Sequence, residues 1–161
     1  MGGVSDVIES KPWGSVEHLV GPVAARVVDQ DAVVDKMQLM PGGYSSLHLH
    51  KTRANLFILI SGRLDVIEYV RQSTGERPGE GLTAEQLSEF LEADAKRLDA
   101  WREVGRSALS NRGDSVTVPP NKAHRFEVLE PSVLLEVYWS TTAEPVDSQD
   151  THRFWSNGRQ V

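Results

Sequence analysis

Cysteine is absent from the chain, which removes disulfides, thiol nucleophiles and thiolate metal sites together and leaves the redox compartment open. Basic surplus is absent too: 17 Lys and Arg stand against 23 Asp and Glu, a formal charge of -6. A general nucleic-acid binder shows the opposite balance, so none is expected as a partner. No run of about 18 apolar residues occurs, which excludes a helical membrane span. The first residues, MGGVSDVIES, lack the basic and apolar stretches of a secretory leader, and Asp6 stands where myristoylation needs Ser or Thr. A cytoplasmic location is the expectation. A Gly-x-Ser-x-Gly elbow, a Walker loop and a dinucleotide fingerprint are also missing. What remains is 161 residues, 39% apolar and 25% charged, the size and composition of a single soluble domain spanning 1–161.

Most of the chain reads as short strands between turn residues. Val33 to Met40 alternates with Val33, Met37 and Leu39 on one face, as a half-buried strand requires; Pro41-Gly42-Gly43 then ends it. Asn55 to Ile60 and Arg63 to Tyr69 flank Ser61-Gly62 and predict a hairpin. Ser115 to Val118, Arg125 to Leu129 and Val133 to Tyr138 repeat the pattern, separated by Pro119-Pro120 and by Pro131. Many short strands with Gly and Pro turns indicate a β-sandwich or small barrel. One segment differs. Between Thr83 and Val104, Leu87, Phe90, Leu91, Leu98 and Trp101 suit one helical face, interrupted by Asp94, and Thr83 with Gln86 resembles a capping box. Residues 71–110 therefore read as an insertion of loop, helix and return, either covering the sheet, meeting a second subunit or forming a lid.

Five histidines occur. His48 and His50 are two apart, so an extended strand points both imidazoles to one face. His124 follows the Pro119-Pro120 turn. Three imidazoles from separate strands make half of an octahedron and leave open positions for water or substrate. His18 and His152 lie outside these segments and read as surface residues. Arg112-Gly113-Asp114 is read as a turn rather than an adhesion motif, and Lys11 with Trp13 as a pin for the N-terminal strand.

The spacing of these residues resembles the cupins. Gly42, His48, His50 and Gly62 fall on the first cupin motif, with Asn55 at its Glu; Gly113, Pro119 and His124 fall on the second, with Asn121 at its second Gly. KPWGSVE at 11–17, PGG-x-SSLH-x-H-x-x-RA around Arg53 and Ala54, His124-Arg125-Phe126, Glu136-Val137, Arg153-Phe154 and Gly158-Arg159 are similar to the cupin domain of type II mannose-6-phosphate isomerases and fused mannose-1-phosphate guanylyltransferases. The resemblance implies an all-β cupin fold, a double-stranded β-helix or jelly-roll barrel, here with one inserted α-helix. It also implies a divalent ion (zinc, nickel, manganese or iron) held by His48, His50, His124 and Asn55. A homodimer is the expected assembly, because cupins pair through sheet edges that otherwise invite strand addition.

Asn55 changes the chemistry. A glutamate would neutralise part of the cation's charge and could take a proton; a neutral amide does neither. A cation among three imidazoles would keep its full charge, attract anionic oxygens and polarise a carbonyl. Arg53, Arg125, Arg153 and Arg159 are the candidate contacts for an anionic substrate, since guanidinium forks match phosphate and carboxylate. Glu68 and Glu136 are the candidate proton carriers. The leading reading is a metal-dependent cupin that isomerises a sugar or sugar phosphate between aldose and ketose. The alternatives are a non-catalytic sugar-binding module and a three-histidine iron dioxygenase.

Overall fold

The computed structural model describes residues 8–27, 30–72, 83, 100–154 and 158–159. The apolar segments between the Gly and Pro breaks become eleven strands: β1 (Ile8–Lys11), β2 (Gly14–Val27), β3 (Gln30–Leu39), β4 (Gly43–Tyr44), β5 (His48–Leu49), β6 (Arg53–Arg71), β7 (Trp101–Leu109), β8 (Ser115–Val118), β9 (Ala123–Ser140), β10 (His152–Arg153) and β11 (Gly158–Arg159). Every pairing is antiparallel. The order runs β1-β2-β3-β9-β4-β11, with β5, β6, β7, β8 and β10 attached through β9 and β6. Among the described residues no helix is long and apolar enough to cross a membrane.

Two long strands carry the architecture, and their form corrects the sequence expectation. A hairpin is expected at Ser61-Gly62 and a break at Pro131; neither forms. β6 runs through 19 residues and β9 through 18, paired from Arg53 opposite Ser140 to Tyr69 opposite Ala123. Each half of β6 finds a different second neighbour, Asn55–Ile58 taking β8 and Leu64–Arg71 taking β7. The two strands bend together where their register shifts, between Leu59 and Leu64. Gly62 has φ 88° there, and a Cβ on it would collide with the Pro131 carbonyl and Ser132, so glycine is required for this close crossing. Pro131, which has no N–H to donate, occupies the interruption in the ladder. Arg63 N–H instead donates to Ser132 Oγ at 2.9 Å. Local turn residues were read as chain reversal when they mark a shared bend.

Most of the expected helix, residues 84–99, lies outside the described residues. Its end is corrected: Trp101 to Val104 open β7, in register with Arg71 to Tyr69. Burial of Trp101 against Phe154, ring centroids 4.4 Å apart, explains why an apolar residue recurs there without a helical face.

Two apolar clusters divide the interior. The larger gathers Trp13 from the β1–β2 turn with Met37, Phe57, Leu59, Leu64, Phe126 and Leu134, among others, from β3, β6 and β9; the smaller gathers Leu47, Leu49, Ile67, Tyr69, Trp101, Ala123 and Phe154. Leu59, Leu64 and Leu134 are wholly buried, so truncating any of them to alanine costs about 2–5 kcal/mol. The polar site lies beside the larger cluster, with the His124 ring 6.1 Å from Phe57.

Candidate metal centre

Strand alternation brings the first two imidazoles to the site. Leu47 and Leu49 enter the smaller cluster, which turns His48 and His50 to the opposite face. The third arrives through the Pro119-Pro120-Asn121 turn. Asn121 has φ 61°, the left-handed conformation that asparagine tolerates best after glycine, and its N–H donates to the His50 carbonyl at 2.6 Å. Replacement of the motif's glycine therefore leaves the turn intact. His124 then pairs with His48 across the β5–β9 ladder. The ring centroids stand 4.9 Å apart for His48 and His50, 4.5 Å for His48 and His124, and 5.5 Å for His50 and His124. One ligand nitrogen from each lies within 4.8 Å of the other two.

Backbone carbonyls fix the rings. Nδ1 of His48 donates to Ser46 O at 2.7 Å, Nδ1 of His124 donates to Lys122 O at 2.9 Å, and Nδ1 of His50 donates to Asp150 O. Each bond sets the tautomer and leaves the Nε2 lone pair as the ligand atom, the usual outer arrangement of a metal-binding histidine. His124 Nε2 is buried with no hydrogen-bond partner among the described residues. Burial, followed by the charges of His124 and His50, holds His48 well below its ordinary pKa. Burial and then Arg53 push His50 down to about 2, and burial foremost lowers His124 to about 4. All three rings are neutral near pH 7, the form that ligates. An orphaned lone pair, three fixed tautomers and neutral donors together fit a divalent cation.

The site opens on a cavity of about 390 Å³ walled by Asp35, His48, Arg53, His124, Glu136 and Tyr138 and rimmed by Arg153. Arg53 is buried, its guanidinium 4.2 Å over the Tyr138 ring, with Nη2 3.1 Å from His50 Nε2 and Nη1 3.5 Å from Ser148 O. Among the described residues this cation meets no carboxylate within ion-pair distance. Asn55 is wholly buried; its Nδ2 lies 3.2 Å from His50 Nε2 and donates to Glu136 Oε1 at 2.5 Å, while its Oδ1 has no partner. The amide thus faces His50 with its donor side rather than with a ligand oxygen. Asp35 and Glu136 are neighbours across β3 and β9. Burial, then Asp35 and Glu136, raises the Tyr138 phenol above its ordinary value, so it is a neutral donor at every working pH.

Comparison with solved structures decides the fold. The capsular polysaccharide assembling protein CapF from Staphylococcus aureus aligns at TM-score 0.55 and 15% identity over 91% of this chain and 33% of its own. The oxalate decarboxylase of Lactobacillus farciminis aligns at 0.55 and 18%, over 92% and 34%. That of Bacillus subtilis, solved in work on its Mn(II) centres, aligns at 0.55 and 16%, over 92% and 30%. The fold is that of the cupins. No protein-family model and no curated protein matches the chain, and it spans about a third of the length of these cupin structures. The mannose-6-phosphate isomerase likeness has no counterpart among these matches.

On this cupin frame the expected site residues separate. His48, His124, Arg53 and Glu136 line one cavity, and His50 and Asn55 sit just behind it, His50 against Arg53. Arg125 instead faces away, paired with Glu127 and lying 5.4 Å from the Tyr44 ring, because strand alternation sends it opposite to His124. Glu68 lies across the ladder from His124, but its carboxylate is held by Lys122 at 2.6 Å and is not part of the cavity wall. Arg153 reaches the rim from β10. The backbone of Arg159 pairs with Gly43, and its side chain lies outside the described residues, as does that of His18. His152 is half-buried, 3.6 Å from Asp150. Asp35, Tyr138 and Asp150 were missed. Asp35 shared the buried face of Val33, Met37 and Leu39, and Tyr138 the face of Glu136, so both were readable from period two; Asp150 carried no local signal.

Proposed function

We propose that the chain is a metal-dependent cupin that isomerises a small sugar phosphate between aldose and ketose. The observation that carries this is Arg53, a buried guanidinium that meets no carboxylate at ion-pair distance among the described residues, placed beside three converging imidazoles. Burying an unpaired charge is costly, so the cavity is completed by an anion. Its volume falls in the range of about 300–1,000 Å³ that small-molecule sites occupy. CapF, by its name, serves capsular polysaccharide assembly, which favours sugar chemistry as the context.

His48, His50 and His124 would hold a divalent ion, which when bound supplies a Lewis acid for the substrate carbonyl. Arg53 orients the anionic group, and Tyr138 presents a phenol donor at the same wall. Glu136, steadied by the Asn55 amide, removes the proton from the carbon beside the carbonyl and returns it to the former carbonyl carbon, as a matched acid–base group must. The hydroxyl on the carbon beside the carbonyl gives its proton to the old carbonyl oxygen, so the former becomes the new carbonyl and the latter the hydroxyl. A homodimer belongs to the same proposal, to be checked by light scattering.

Conversion of mannose 6-phosphate to fructose 6-phosphate, measured with zinc, nickel, manganese or ferrous ion added and compared with His50→Ala, tests the reading. Turnover that disappears in the variant is expected. Tight binding of the sugar phosphate without turnover in any metal state would leave a sugar-binding module. Oxygen uptake by the ferrous-loaded protein would instead favour a dioxygenase, which a wholly neutral histidine set also suits.

A further inference from the structure

His50 depends on a segment a hundred residues further along the chain. Asp150 lies just before β10, which pairs with β5 by setting His152 opposite Leu49 and Arg153 opposite His48. Phe154 extends the contact, its N–H donating to Leu47 O at 2.8 Å and its ring packing against Trp101. Within this strap Asp150 makes two kinds of bond. Its backbone carbonyl accepts from His50 Nδ1. Its carboxylate, 8% exposed as a residue, accepts from Lys51 N–H at 2.9 Å, Thr52 N–H at 2.8 Å and Thr52 Oγ1 at 2.9 Å. The two residues it ties down are those that immediately follow His50. Its carbonyl therefore cannot leave the His50 ring unless three bonds to the turn yield as well.

We infer that Asp150 is a positioning residue of the centre, holding the aim of the His50 ring through its Nδ1–H from the C-terminal strap. Outer partners of metal-binding histidines are worth roughly 10- to 100-fold in metal affinity. Here the partner is a carbonyl, which any residue possesses; the aspartate side chain supplies its position. His124 provides an internal reference, because its Nδ1 is held by Lys122 O at 2.9 Å, on a turn that Asp150 does not touch.

The inference rests on the metal-centre reading, yet it is tested apart from it. In metal-free protein, long-range proton–nitrogen NMR of the imidazoles reports which nitrogen carries the proton. Wild type is expected to show His50 and His124 both protonated on Nδ1. In Asp150→Ala the His50 Nδ1–H signal should move upfield and exchange faster with water as its carbonyl partner is displaced, while that of His124 stays; the Arg53 and Asn55 donors at Nε2 keep the tautomer itself. Zinc affinity, read by competition with a chromophoric chelator, should fall about 10- to 100-fold. Thr52→Val removes a single bond to the carboxylate and should shift the same His50 signal with a loss of about threefold or more, a smaller part of that same outer-partner effect. It decides the matter if Asp150→Ala does not fold. A folded variant with His50 and zinc affinity unchanged overturns the role of Asp150. Wild-type protein that binds no zinc overturns the metal reading instead, and the His50 Nδ1–H signal in the two variants still tests Asp150.

Discussion

Substitution of Arg53 by methionine separates two roles that the proposed function gives to one side chain. Nη2 of Arg53 donates to His50 Nε2 at 3.1 Å, and that lone pair is the one a cation would need. In metal-free protein the arginine therefore competes with the metal for His50. The same guanidinium, which meets no carboxylate at ion-pair distance among the described residues, is the group an anionic substrate would meet. A hydrogen bond involving a charged group is worth about 1.5–3 kcal/mol, or about 10- to 150-fold in a binding constant. Arg53→Met keeps an unbranched apolar side chain to lie on Tyr138, whose ring is 4.2 Å from the guanidinium, so packing is largely preserved. The two affinities should then move in opposite directions. Zinc, measured by chelator competition without sugar phosphate, should bind about 10-fold or more tightly, because the competitor and its charge are gone. Mannose 6-phosphate, measured by calorimetry on zinc-loaded protein, should bind about 10- to 150-fold more weakly. Weaker zinc binding, or an unaltered affinity for the sugar phosphate, would refute the assignment of Arg53 to both roles.

Glu136→Gln retains an oxygen to accept from Asn55 Nδ2 but cannot take a proton, so kcat should fall by about 10²- to 10⁴-fold with zinc content and substrate KM little changed; steady-state kinetics with metal analysis checks this. Metal-free protein should lose stability below pH 6.5, because each folded imidazole refuses a proton that the unfolded chain accepts. With His124 lowered to about 4, its contribution is complete above pH 6.5, falls as the pH drops toward 4, and is already reduced by about 2 kcal/mol at pH 5. Urea midpoints in the presence of a chelator should show a shallower decline for His124→Gln. Gly62→Ala should cost more than about 2 kcal/mol, adding the clash with the Pro131 carbonyl to the penalty of φ 88°. Gly113→Ala, at φ 91° but in open space, should cost only about 1–2 kcal/mol, the backbone penalty alone; thermal melts distinguish them.

Period-two alternation made the local part of the site legible. His48 on β5 and His50 just after it on one face, Glu136 and Tyr138 on one face of β9, and Asp35 among the buried residues of β3 all follow from the spacing of side chains along an extended chain. Distances between strands were legible only through the resemblance, since no physical rule in the sequence says that residue 124 meets residue 48. Turn chemistry misled where two breakers answered one another: Gly62 and Pro131 each read as an end, whereas the facing strands use them for one common bend. Asp150 was beyond reach for another reason. Its function lies in a carbonyl, which every residue has, and in a carboxylate whose partners are backbone N–H groups with no sequence signature.

The position of negative charge explains why Asn55 need not mark a dead site. The cupin resemblance puts a glutamate at 55, yet here Glu136 Oε1 already lies 2.5 Å from the Asn55 amide. A carboxylate at 55 would stand against that of Glu136 in a buried pocket, where two like charges cannot both remain ionised. An amide reverses the interaction, donating to Glu136 and reaching His50 from the same nitrogen. Asp35 lies beside Glu136 across the β3–β9 ladder, so this wall is acidic without any help from β6. On the proposed reading the proton carrier sits on β9 rather than β6, and the neutral residue on β6 donates a hydrogen bond to it.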